Sequence, residues 1–206
     1  MAIFSLNEVR TEQIKNIAND NFESWPESAT YGYFGGGYAP SDFSTVDRID
    51  FTNETTSAPG NNLSQGRSSQ AAVSSSSYGY FGGGGFPTVN TVDRIDFSNE
   101  TFSLPGNDLS QARYYLAATS SNSYGYFGGG RNPPPAVGYN TIDRIDFSNE
   151  TTSAPGNNLT QARISLAACS SSSYGYFGGG SNPTEVTTVD RIDFSNETTS
   201  APGNNL

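Results

Sequence analysis

The 206-residue sequence predicts an all-β repeat fold with about four similar units. The stretch YGYFGGG begins at Tyr31, Tyr78, Tyr124 and Tyr174, so successive units are 47, 46 and 50 residues apart. Every unit also carries serines and a Pro-Gly pair, which together with the glycines disfavour long helices. Repeats of this length without helices are typical of propeller blades. We therefore predict a β-propeller of about four blades, preceded by a short N-terminal helix.

The predicted N-terminal segment comprises residues 1–25 and includes a short helix over 5–18. Ser5 and Glu8 have the spacing of a capping box. The apolar residues of this stretch fall roughly on one helix face: Leu6, Val9, Ile14 and Ile17. The segment has two interpretations, a cap on one end of the propeller or an attachment or oligomerisation element.

Residues 26–206 are predicted to form the propeller repeats, with four short strands in each. An apolar strand comes first, as at 114–120 and 164–170, and YGYF forms the second strand. TVDRIDF forms the third strand, SNET a tight turn and TTSA a weak fourth strand, after which Pro-Gly makes a type II turn. The second and third strands are expected near 31–35, 45–51, 78–82, 91–97, 124–128, 141–147, 174–178 and 188–194.

Closure of the ring is open at this stage. The first unit has only residues 22–30 available as its first strand, and they lack the Ala-Ala pair of the other units. If this segment serves as a strand, four blades close as a small propeller. Otherwise the propeller is incomplete, the natural protein is longer, or several chains share one ring by oligomerisation.

The aromatic residues and glycines of YGYFGGG are expected to pack between neighbouring blades. Aromatic side chains fill the space between two sheets, and glycines let the backbone turn sharply and pass close to the next blade. Valine is therefore expected to destabilise the protein strongly at one equivalent glycine of each unit: Gly35, Gly82, Gly128 and Gly178.

Length variation among the units is confined to one insert in each. The distance from the first aspartate of VDRID to the next YGYF is 31 residues in each of the first three units. The differences therefore lie between the glycines and VDRID, in four insert loops: 38–45, 85–91, 131–141 and 181–188. A rigid frame that carries one variable loop per repeat is typical of binding surfaces.

The repeats resemble kelch repeats over about residues 26–206. YGYFGG is similar to the apolar strand and double glycine of that family, VDRID to its next strand, and LSQAR to its loop between blades. The family's third-strand aromatic is isoleucine here, and only Phe102 keeps an aromatic ring where the family has tryptophan. The resemblance implies a propeller but not an activity, because kelch propellers include enzymes and adaptors. A looser resemblance, through the repeat wording and SWPESATYGYFGGG, is to kelch-like propeller proteins of marine tailed phages.

The composition disfavours several kinds of chemistry. A formal net charge of −10 opposes binding to nucleic acid and to anionic membranes, and no apolar stretch suggests membrane insertion. With no histidine and one cysteine, the chain cannot build a Ser-His-Asp triad, a thiolate metal cluster or an intrachain disulfide. We predict a protein that is not an enzyme and has no cofactor or metal. A carboxylate-based carbohydrate-active enzyme is the alternative, although most acids recur in every unit.

Two sets of arginines recur. The arginine between the two acids of VDRID is expected to form structural ion pairs within or between blades: Arg48, Arg94, Arg144 and Arg191. A second arginine ends each joining loop, our name for 63–67, 109–113 and 159–163. For this second set (Arg67, Arg113 and Arg163) two interpretations stay open. One is structural, and the other is the contact with acidic peptides that the kelch resemblance implies.

Successive loops of an antiparallel blade alternate between its two faces, so the insert loops and joining loops should share one face. The predicted binding residues are Tyr38, Phe43, Phe86, Arg131, Tyr139, Asn182, Arg67, Arg113 and Arg163. The opposite face, built from the serine turns and SNET, is expected to be nearly inert.

The phage resemblance implies a non-enzymatic virion protein, a tail-fibre or capsid-associated component, found on the virion or outside the cell. Its expected partners are a host receptor protein, a cell-surface glycan or a neighbouring virion protein, and homo-oligomerisation is left open. The alternative to this prediction, besides an enzyme, is a cytoplasmic kelch-type adaptor that binds protein.

Overall fold

The structure, a computed structural model, describes residues 30–132, 137–203 and 205–206. These residues are all-β, with sixteen strands in four sheets and no helix among them. The predicted all-β fold is confirmed, and four antiparallel sheets are consistent with an incomplete four-blade propeller. The predicted helix over 5–18 and the strand proposed over 22–29 lie outside the described residues.

Each repeat supplies one antiparallel sheet. The first has the strand order β1-β2-β3, formed by Tyr31–Gly35, Val46–Asp50 and Thr55–Ser57. The second has the order β4-β5-β6-β7, formed by Ala71–Ser74, Tyr78–Gly82, Val92–Asp96 and Phe102–Ser103. In the third, β8 (Tyr114–Ser120) pairs with β9 (Tyr124–Asn132), which lies between β10 (Val137–Gly138) and β11 (Ile142–Asp146), and β12 (Thr152–Ser153) is last. The fourth has the order β13-β14-β15-β16, formed by Ala167–Ser170, Tyr174–Gly178, Val189–Asp193 and Thr199–Ser200.

The predicted second and third strands agree with these bounds to within one residue, apart from the longer β9. That strand continues to Asn132 because the third insert folds back as β10 and pairs with it. The predicted strand over 164–170 is shorter, since β13 begins at Ala167 and Ile164 makes an isolated bridge to Ser181.

The described chain forms two compact units. The smaller contains residues 30–32 and 49–56, and the larger contains 33–48 and the described residues from 57 onward. In the smaller unit, the Asp50 carboxylate accepts hydrogen bonds from Thr52, and the Asn53 side chain accepts hydrogen bonds from Thr55. These bonds fix the turn of the first repeat. In the later repeats, the second aspartate of VDRID and the asparagine of SNET accept the same bonds.

The apolar core of the larger unit lies between successive sheets. The phenylalanine of one YGYF strand packs on the glycine of the preceding one, so a Cβ on Gly128 would lie 2.7 Å from the Phe177 ring. Phe127 stands in the same way against Gly82, and both phenylalanine rings are fully or almost fully buried. The predicted packing of aromatics and glycines between sheets is therefore observed at these junctions.

Gly178 departs from the prediction made for the four equivalent glycines. A Cβ there would contact Leu206 at 3.5 Å and Val189 at 3.8 Å, which are ordinary van der Waals distances. The crowding at the other three comes from the phenylalanine of a following sheet, and among the described residues no sheet follows β13–β16. Strong destabilisation by valine is therefore expected at Gly35, Gly82 and Gly128, and not at Gly178.

Candidate contact surface

The insert loops are held by the joining loops, as the alternation of loops predicts. The backbone N–H of Arg67 donates to Phe43 O at 3.0 Å, and that of Arg113 donates to Val89 O at 3.1 Å. The third junction repeats this bond from Arg163 N–H to Tyr139 O at 3.1 Å. Variable loops therefore stand on a hydrogen-bonded frame that is the same in each repeat.

The side chains of the joining-loop arginines lie inside the protein. All three are 0% exposed, and each guanidinium pairs with the first aspartate of the next VDRID strand: Arg67 with Asp93, Arg113 with Asp143, and Arg163 with Asp190. The Arg113–Asp143 distance is 2.7 Å, and further N–H groups of Arg113 donate to the carbonyls of Gly129, Thr141 and Phe127.

These buried guanidiniums support the structural interpretation of the joining-loop arginines. Burial lowers the pKa of Arg113, an effect that the Asp143 carboxylate opposes. With no exposed surface, Arg67, Arg113 and Arg163 cannot contact a partner in this structure. We therefore remove them from the predicted contact surface, although their backbones support it.

Three of the four VDRID arginines form the expected structural ion pairs, and these pairs join neighbouring sheets. Arg191 has no such pair among the residues that the structure describes. Arg94 pairs with Glu150 at 2.9 Å, and Arg144 pairs with Glu197 at 2.8 Å. Each glutamate is the third residue of an SNET turn, and its φ near 59° lies in the left-handed region. Arg48 makes the same pair with Glu100 at 2.8 Å.

Aromatic side chains and one cation form an exposed patch beside the second and third inserts. Phe86 is 59% exposed and its ring lies 5.3 Å from that of Tyr114, which lies 4.6 Å from that of Tyr115. Arg131 lies over both tyrosine rings, at 5.2 and 5.5 Å, and its Nε donates to the Tyr114 hydroxyl at 3.0 Å. We call these four residues the aromatic patch.

Two members of the aromatic patch, Tyr114 and Tyr115, were not among the sequence-predicted site residues. The sequence does carry a signal for them, because the equivalent pairs are Ser68-Ser69 and Ile164-Ser165. Tyr115 has φ of 59°, as do its serine counterparts within a few degrees. Bulky residues rarely adopt this conformation, so a tyrosine where two repeats carry serine is a departure from the frame.

The other predicted residues lie on separate insert loops. Tyr38 is 66% exposed and Phe43 40% exposed, both on the first insert. Tyr139 is half-buried, and Asn182 is exposed on the fourth insert. The structure thus brings together Phe86 and Arg131, through the tyrosines.

The opposite face carries two polar grooves between sheets, so it is not featureless. One, of about 470 Å³, is lined by the serine turns of the third and fourth repeats together with Asp193. The other, of about 400 Å³, has the same lining one repeat earlier, with Asp146. The Ser148 hydroxyl and backbone N–H bind the Asp146 carboxylate and lower its pKa, and Ser195 does the same to Asp193. These carboxylates therefore belong to the turns.

The described residues contain neither a metal-binding cluster nor a membrane-spanning helix. Among the residues that the structure describes, no group of three or more cysteine and acidic side chains is arranged to hold a metal ion. Nor does that part of the chain contain a helix long and apolar enough to cross a membrane. Comparison with protein-family models gives no match, and neither does comparison with curated proteins.

Proposed function

We propose that the protein is a non-enzymatic, kelch-like recognition or structural module of a phage particle. It contacts a host receptor or a neighbouring virion protein through its insert loops. The observation that carries the contact site is the aromatic patch, with exposed rings and an ordered arginine on a hydrogen-bonded frame. The assignment to a phage rests on the resemblance of the repeats.

Several physical properties of the aromatic patch favour recognition. Aromatic rings and arginine give large contact areas with few rotatable bonds, which is why binding hot spots are rich in them. Tyr114 is 2% exposed and fixes the Arg131 side chain, so the guanidinium is ordered before a ligand arrives. Tyr115 has a left-handed backbone conformation, which is costly for a bulky residue, at a position where two other repeats carry serine.

The chemistry of the aromatic patch fits a receptor glycan or a protein with an acidic group. Sugar rings stack their apolar faces on aromatic side chains, and Arg131 can bind a carboxylate or sulfate with two parallel hydrogen bonds. The whole chain carries a net charge of −10, so this cation gives an acidic ligand a local site on a surface that otherwise repels it.

The alternatives gain less support. An adaptor that binds acidic peptides through Arg67, Arg113 and Arg163 would need guanidiniums that the fold buries. A glycosidase needs one carboxyl group with a raised pKa as its general acid. The pKa values of Asp96, Asp146 and Asp193 are lowered instead, because serine hydroxyls bind their charged forms.

The insert swap tests this function on a microarray of acidic and neutral glycans and on purified particles. Residues 131–140 are replaced by the second insert, 85–90, and a second variant carries Tyr115→Ser with Arg131→Ser. Both changes follow the sequence of other repeats, so the frame should fold. We expect each variant to lose about tenfold or more in affinity.

The matched control changes the opposite face, with Ser75→Ala, Ser121→Ala and Ser171→Ala. Unfolding midpoints measured alongside exclude a general loss of stability. If the serine variants lose binding while the insert swap keeps it, the contact surface is the grooved face and the proposal is wrong.

A further inference from the structure

Three junctions between neighbouring sheets repeat the same contacts in the larger unit. At the last of them, Phe177 of the following sheet packs on Gly128, and Arg144 pairs with Glu197 at 2.8 Å. The joining-loop leucine Leu159 is covered as well, with 2% of its surface exposed. In repeat arrays such an interface between neighbours is the unit of stability. Each sheet therefore presents one half of a junction on each side.

On one side of the fourth sheet, no sheet among the described residues covers this half-junction. Leu206, the counterpart of Leu159, is 78% exposed, and a Cβ on Gly178 would meet no atom closer than 3.5 Å. Among the described residues Arg191 forms no salt bridge, unlike the three arginines before it. We call the uncovered residues the tail surface: Cys169, Tyr176, Gly178, Arg191 and Leu206.

The exposure of Cys169 is independent evidence that no described sheet covers this side of the fourth sheet. Its counterparts Val73 and Thr119 are buried, because their methyl groups lie against Gly125 and Gly175 of the following sheet. Cys169 occupies the same strand position and is exposed. The exposure of this thiol therefore reports whether a sheet covers the fourth repeat.

The complementary half-junction is exposed in the first repeat. Phe34 is the counterpart of Phe81, Phe127 and Phe177, which are at most 5% exposed, and it is 65% exposed. At every internal junction of the described residues, the phenylalanine at this position covers the preceding sheet.

We propose that the first repeat of a second copy of this chain docks on the tail surface. Phe34 of one copy packs on Gly178 and Leu206 of the other. Phe34 and the tail surface belong to the same compact unit and are both exposed there, so each offers the residue types that the other lacks. The contact is heterologous, so it either closes a ring or extends.

Two variants that each block one half of the contact test the proposal. Phe34→Asp blocks the first repeat, and Gly178→Val fills the space that the incoming ring needs. We expect the wild-type chain to associate in analytical ultracentrifugation, and each variant alone to associate about tenfold or more weakly. An equimolar mixture should form a one-to-one dimer, since each variant supplies the half that the other lacks. Alkylation of Cys169 in the Phe34→Asp copy should be slower in the mixture than in that variant alone, because its tail surface is then covered.

The matched control is Leu104→Asp, which places the same charge at another exposed apolar residue, 57% exposed, and should associate as wild type does. Equal unfolding midpoints show that the variants fold. A wild-type chain that stays monomeric with a reactive Cys169 overturns the proposal. Association that neither blocking variant weakens also overturns it, because another surface is then used. If both variants lose association but the mixture forms no dimer, Phe34 and Gly178 do not meet across the contact and the proposal is again wrong.

Discussion

At the scale of single residues, the buried ion pairs hold each joining loop to the sheet that follows it. Arg113 and Asp143 are both 0% exposed, so each charge has given up its water shell. The pair contributes to stability only because the guanidinium also satisfies backbone carbonyls, among them Phe127 O at 3.0 Å. Removing one partner leaves the other charge buried without compensation.

Arg113→Met should therefore lower the free energy of unfolding by about 3–5 kcal/mol. Urea denaturation measures this value, and the Arg131→Met variant is the control. Arg131 is only half-buried. Its replacement should therefore lower the free energy of unfolding by less than about 1 kcal/mol. Equal effects of the two substitutions would contradict a special role for the buried pair.

The glycines of the YGYF strands give a second comparison at this scale. Gly128→Ala places a Cβ 2.7 Å from the Phe177 ring and should cost about 1–3 kcal/mol by overpacking. Gly178→Ala places a Cβ at ordinary van der Waals distances from Leu206 and Val189 and should change the stability of the dilute monomer by less than about 0.5 kcal/mol. Thermal unfolding at low concentration distinguishes the two, and equal losses would argue against the packing described for Gly128.

At the scale of elements, the strands could be predicted closely because four copies of one pattern fix the register. The burial of Arg113 could not be, since sequence spacing does not tell which acid a loop arginine reaches. Tyr114 and Tyr115 could be noticed in the sequence, because the equivalent pairs are Ser68-Ser69 and Ile164-Ser165. Their role needs the distance to Arg131, and that distance depends on the fold of the third insert into β10.

In the first three sheets, a phenol hydrogen bond ties the second strand to the SNET turn of the following sheet. Tyr80 OH donates to Glu150 and Tyr126 OH donates to Glu197, both at 3.0 Å. Burial, reinforced by the neighbouring glutamate, raises the pKa of both tyrosines above the usual value. The folded state therefore holds these two protons more tightly than the unfolded chain does.

This raised pKa predicts a loss of stability at alkaline pH. The contribution is fully present below about pH 10, the ordinary tyrosine value, and decreases as the pH rises above it. The double variant Tyr80→Phe and Tyr126→Phe should start less stable and lose less between pH 9 and pH 11. Urea midpoints measure this difference, with exposed Tyr38→Phe as control. A wild-type midpoint that is constant through this range would refute the prediction.

At the scale of the whole molecule, the described chain is a series of similar sheets whose stability lies largely in the junctions between neighbours. The third sheet has such a neighbour on both sides, and its Tyr126 and Phe127 are 0% exposed. The fourth sheet has one described neighbour, and its Tyr176 is half-buried. Protection should therefore decrease from the third sheet to the fourth.

Native-state hydrogen exchange of the dilute monomer tests this gradient. Opening of the fourth sheet breaks one junction, whereas opening of the third breaks two, so the backbone amides of 174–178 should exchange about tenfold or more faster than those of 124–128. Gly128→Ala weakens the junction between these two sheets and should accelerate exchange in the fourth sheet more than in the second. If all three sheets exchange at one common rate in wild type and variant, the larger unit opens as a single cooperative body and the junctions do not act separately.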